Sequence, residues 1–176
     1  MQLKTFSAVI GAAALASTIA FADEAIPNAN DGFTEVGKEG SWTVYTDGQR
    51  EVCLMQRTYE GGHVVQVGHT RGMRKAYLGA FAKIPDEFRG KKHTEKVTLV
   101  VGDEALVNKK IKRRARNADT PYTGAYVENK DIAYFGGQAM AVQQFDYEGE
   151  QYVLEYKLDG LAEAIDALAK CDAALG

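Results

Sequence analysis

The chain has 176 residues, with 21 Lys and Arg against 24 Asp and Glu, three His, two Cys and a formal charge of −3. That length suits one ordinary domain with a sizeable core, and the charge gives no global attraction to nucleic acid. Two cysteines are too few for a disulfide-dense miniature fold, so apolar packing must carry most of the stability.

The N-terminus reads "MQLKTFSAVIGAAALASTIAFADEA". Lys4 gives a positive start, residues 6–21 are apolar and mostly small, and Ala20-Phe21-Ala22 has the small-x-small form that signal peptidase reads. Residues 1–22 are expected to be a cleaved signal peptide. The run is short for a span of about 20 apolar residues, and no positive stop-transfer cluster follows, which disfavours a membrane anchor. Cleavage removes Lys4, the single charged residue among the first 22, and leaves a formal charge of −4. The expectation is a periplasmic or secreted protein with no membrane span after cleavage.

Residues 23–40, "DEAIPNANDGFTEVGKEG", are polar and rich in Gly, Asn and acid, and read as a flexible lead-in. Strand signals then follow in series. Trp42, Val44 and Thr46 alternate with polar residues in "SWTVYT", and Asp47-Gly48 is a turn dipeptide before "EVCLMQRTY". "HVVQVGHT" follows Gly61-Gly62, and "KAYLGAFAKI" ends at Pro85-Asp86. "EKVTLVVG" and "EALVNKKIKRR" flank Gly102-Asp103 as a hairpin, and "QAMAVQQFDY" and "QYVLEYKL" flank Glu148-Gly149-Glu150. A weaker helical turn falls at residues 129–135. The last element is helical: Asp159 is placed to cap it, and Leu161, Ala164, Ile165, Leu168 and Leu175 form one apolar stripe with Cys171 at its edge. The predicted fold is an antiparallel β-sandwich, or a partly open barrel, with a C-terminal α-helix packed on it, in one domain over residues 41–176.

Export changes how the cysteines read. Outside the cytosol a bridge forms and persists, so Cys53–Cys171 is the expected disulfide, with two free buried cysteines as the competing reading. The bridge would staple the C-terminal helix to an early strand.

Charge is unevenly distributed. Residues 71–116 hold 14 basic and 5 acidic side chains, while both flanks are acidic. The densest part is "NKKIKRRAR", with Lys110, Lys112, Arg113, Arg114 and Arg116. On a strand, Lys110, Lys112, Arg114 and Arg116 would share a face and repel one another unless acids or an anionic ligand neutralise them. That makes the segment a candidate surface for an acidic protein, a polysaccharide or lipid headgroups. The bland alternative is a solvated edge that blocks sheet-to-sheet aggregation, or one neutralised by the protein's own acidic segments. Nucleic acid is not expected, because no aromatic stacking residues interleave with the basic run.

Signals for catalysis are sparse. His63 and His69 are six residues apart, roughly 20 Å along a strand, too far to share a metal ion, and read as ordinary surface histidines. There is no GxSxG elbow, Ser41 is the one serine after residue 22, and Gly61-Gly62 and Gly136-Gly137 lack the pattern of a phosphate loop. No cofactor and no catalytic residue is indicated.

"SWTVYTDGQREVCLMQ" resembles the start of the invasion-associated locus B family of exported proteobacterial proteins, in which a Trp-x-Val strand precedes a Cys-x-x-x-Gln strand. "KDIAYFGGQAMAVQQFDYEGEQYVLEYKLDGLAEAIDAL" is similar to the family's later course, with an aromatic-x-Leu-x-Gly step into an amphipathic helix. Where members commonly carry a cysteine soon after Trp-x-Val, this chain has Tyr45. The resemblance implies a β-sandwich-like exported protein, linked in some bacteria to host-cell entry, and carries over no catalytic residue. The expected function is a non-catalytic binding or envelope-interaction protein. The alternatives are a periplasmic enzyme with an unrecognised carboxylate site and a small-ligand carrier.

Overall fold

A computed structural model of the chain describes residues 32–48, 51–83, 93–102, 104–113, 122–147 and 149–175. Among the described residues, ten strands form two antiparallel sheets. β1 (Phe33–Glu39), β2 (Trp42–Asp47), β3 (Val52–Thr58), β4 (Val64–His69), β5 (Ala76–Lys83) and β8 (Tyr122–Asn129) make the larger, in that order. β10 (Glu150–Lys157), β9 (Met140–Tyr147), β6 (His93–Val101) and β7 (Glu104–Arg113) make the smaller. A short helix, α1 (Ala133–Gly136), precedes β9, and α2 (Leu161–Ala174) follows β10. Neither sheet closes into a barrel, so the open, sandwich-like form of the prediction holds.

Period-two alternation sets the register. Val44 pairs with Met55, Met55 with Val67, Val67 with Leu78 and Leu78 with Val127, which puts five apolar side chains in one row across five strands. All five are buried. A one-residue slip in any strand would turn its apolar set to the other face, so this row pins the pairing. The inner face of the large sheet has two covers: α2 lies against β1, β2 and β3, and the small sheet meets β8 through β6 and β7. The core between them includes Trp42, Leu99, Phe135, Tyr156 and Leu168.

The structure departs from the sequence expectations in three places. Residues 33–39, within the stretch read as a flexible lead-in, form β1 and pair with β2, with a register irregularity between Glu35 and Gly37. Its side chains are mostly exposed, so its order comes from backbone pairing rather than from an apolar face. At the start of α2 the capping position is Gly160, in the left-handed region at φ 73°, and no side chain caps the helix. A left-handed residue suits glycine, so Gly160 rather than Asp159 makes the entry. Leu175, expected on the apolar stripe, is 46% exposed just beyond the helix end.

Candidate functional site

The C-terminal end of α2 meets β3 and β4 at a covalent and polar junction. Cys53 and Cys171 form a disulfide with Cα atoms 6.1 Å apart, closing a loop of 118 residues in sequence separation. Cys53 is fully buried on the inner face of β3. The residue after Cys171 is Asp172, whose carboxylate is also buried. Its Oδ1 accepts the Cys53 backbone N–H at 2.8 Å, and its Oδ2 lies 2.9 Å from His69 Nδ1. His69 ends β4, and since Leu54 pairs with Gly68, it stands beside Cys53 along the same ladder. A Cβ on Gly68 would come within 2.9 Å of Leu54 Cβ and 3.1 Å of the Cys53 carbonyl oxygen, so glycine there allows the close approach.

Neither histidine is an ordinary surface side chain. His69 is mostly buried against Asp172, and His63 Nδ1 accepts the Lys83 backbone N–H at 3.0 Å. Burial, aided by the Lys83 charge, pushes the His63 pKa down, so the neutral acceptor form is the one that fits.

A second polar cluster holds the turn between β10 and α2. The Trp42 indole N–H donates to the Asp159 carbonyl at 3.0 Å, and the Tyr59 hydroxyl donates to the Lys157 carbonyl at 2.6 Å. Arg57 Nη1 donates to the Lys157 carbonyl at 3.1 Å and to that of Asp159 at 3.3 Å, with its guanidinium 4.8 Å from the centre of the Tyr59 ring. Asp159 therefore contributes its backbone carbonyl, not a capping side chain. Behind this turn Tyr156 packs edge-on to Tyr59 and donates to Gln143 Oε1 at 2.8 Å, and Gln143 Nε2 donates to the Thr123 carbonyl at 3.2 Å. Burial pushes the Tyr59 pKa up to about 12 and raises that of Tyr156 as well. Both phenols stay protonated at neutral pH and serve as donors in fixed bonds.

The basic segment is a sheet edge. Lys110, Lys112 and Arg113 lie in β7, the last strand of the small sheet. Arg114 and Arg116 lie outside the described residues. In the register with β6, Lys110 stands opposite Lys96, Lys112 opposite Thr94 and Arg113 opposite His93, while the acid Glu95 falls opposite Ile111. Lys96 pairs on its other side with Asp146 of β9. Among the described residues, no carboxylate residue stands opposite Lys109, Lys110, Lys112 or Arg113 of β7. Residues 1–22 also lie outside the described residues. Among the described residues, no helix is long and apolar enough to cross a membrane, and no group of three or more His, Cys, Asp or Glu is placed to hold a metal ion.

No family model, curated protein or solved structure matches the chain.

The sequence pattern located the disulfide and the basic strand but missed the Asp172–His69 pair and the donors on the β10–α2 turn. A signal for the pair exists. Asp172 falls four residues after Leu168 on the buried stripe of α2, and His69 shares strand phase with Val65 and Val67.

Proposed function

We propose that the protein is an exported, non-catalytic binding protein of the cell envelope, and that the edge strand β7 is its contact surface for an anionic partner. The observation that carries this reading is the register of β7. Lys110 falls opposite Lys96, which has Asp146 in register on its other side, whereas among the described residues no acid is in register with Lys110, and an anionic partner would offset the like-charge pairing. Alternate residues of a strand repeat at about 7 Å, so Lys110 and Lys112 present charge at regular steps along an extended line. An acidic polysaccharide, itself a linear polyanion, fits that array better than a flat headgroup surface or a folded acidic protein. The disulfide supports an oxidising compartment, periplasmic or extracellular. The likeness of residues 41–56 to the invasion-associated locus B pattern supports the same placement, and a role in host entry is part of the proposal only through that likeness.

The test is retention on an immobilised uronic-acid polysaccharide at low and high salt, beside anionic-lipid vesicles and an acidic protein. Salt-sensitive retention on the polysaccharide is expected, and a Lys110→Glu, Lys112→Glu variant with unchanged melting should lose it. Equal retention by wild type and variant would refute the role of β7. Preference for vesicles or for the acidic protein would replace the proposed partner.

A further inference from the structure

Asp172 is badly placed by the rules of helix composition. It sits in the last turn of α2, where the negative end of the helix dipole disfavours a carboxylate. Its side chain is also only 3% exposed, in a setting where a charge without partners is costly. Both carboxylate oxygens are nevertheless engaged, and by two different strands: the amide of Cys53 on β3 and the imidazole of His69 on β4. The amide belongs to the very residue that Cys171, the neighbour of Asp172, bridges. Cys53 is thus held twice by the end of α2, once through sulfur and once through nitrogen.

We propose that Asp172 is a pairing guide for the disulfide: it docks the end of α2 on β3 and β4 before oxidation and so presents Cys171 to Cys53. The hydrogen bonds to Asp172 need no oxidant, whereas the bridge does. Oxidation by glutathione disulfide then breaks the two S–H bonds and the glutathione S–S bond and forms the Cys53–Cys171 bond. Two electrons pass to glutathione, and the two protons end on two glutathione thiols. A docked helix end raises the effective concentration of one thiol at the other, and the coupling is reciprocal, so the bridge strengthens the Asp172 contacts by the same factor.

The experiment equilibrates the purified protein with reduced and oxidised glutathione and measures the fraction bridged, for wild type, Asp172→Ala, His69→Gln and the exposed-helix control Lys170→Ala. Asp172→Ala should lower the effective concentration of the thiol pair by about tenfold or more, equivalent to at least about 1.4 kcal/mol. His69→Gln should lower it less, and Lys170→Ala should leave it unchanged. A variant that melts lower yet bridges with the wild-type equilibrium would overturn the proposal, because that is what a side chain stabilising both redox states alike would do. Should Asp172→Ala fail to fold, amide exchange at Cys53 in Cys171→Ser decides. Continued protection supports a guide that works without the bridge, and free exchange refutes it.

Discussion

Removing the bridge tests how the ends of the domain are held. Cys171→Ser opens a loop whose closing residues are 118 positions apart. The loop-closure entropy for that length corresponds to roughly 4–5 kcal/mol at 25 °C. For a domain of this size each kcal/mol moves the melting temperature by about 2–4 °C, so the loss should be about 8–20 °C. The upper part of that range assumes that all the entropy returns to the unfolded chain. The Asp172 contacts are coupled to the bridge and weaken when it is absent, so they do not reduce the loss. The assay is thermal melting by circular dichroism of wild type and Cys171→Ser, each with and without reductant. Wild type should fall to the level of the variant when reduced, and the variant should not respond to reductant. Equal melting of the two proteins without reductant would refute the reasoning, as would a further fall of the variant on adding reductant.

Two other outcomes follow from particular contacts. The folded-state pKa of His63 lies below its unfolded value, so the unfolded chain binds the extra proton first. The stability that the neutral imidazole confers is present above pH about 6.5 and is lost as pH falls from there through the folded pKa. Urea titrations from pH 7.5 to 5 should show that loss in wild type and a flatter profile in His63→Gln, and identical profiles would count against the assignment. Tyr156→Phe removes the donor to Gln143, a fully buried amide, and should cost about 1–3 kcal/mol, seen as a lower urea midpoint at unchanged slope. A midpoint equal to that of wild type would mean that Gln143 finds another donor.

What could be seen in the sequence was whatever a local pattern fixes. β2 and β3 announce themselves by alternation about the Asp47-Gly48 turn, and α2 by a stripe through Leu161, Ala164 and Leu168. β1 was invisible because "FTEVGKE" carries no apolar face, and its order depends on a neighbour already in place. The meeting of Asp172 with His69 was not legible for a different reason. Strand phase and helix phase turn each residue inward, but their meeting depends on where α2 lies along the sheet, across 103 residues of sequence. The turn before α2 shows the same limit. Asp159 has the composition of a capping residue, yet Trp42 and Arg57, more than 100 residues earlier, bind its carbonyl instead.

The distribution of these contacts separates stability from the proposed binding. The disulfide, the Asp172 carboxylate and the donors on the β10–α2 turn all act where α2 lies against the β1–β3 side of the large sheet. β7 is the terminal strand of the other sheet, joined to the core through β6 and meeting β8. A strand at an edge can exchange side chains with little disturbance to a core whose register is fixed elsewhere, and the five-strand row from Val44 to Val127 does not include it. Like charges opposite one another at Lys110 and Lys96 can therefore persist, because their cost is small beside what the α2 junction supplies. The same separation makes the edge reading decidable. If the lysines of β7 served only to keep sheet edges apart, reversing two of them would leave an edge that is still charged and equally resistant to aggregation, whereas a contact surface for a polyanion depends on the sign of the charge.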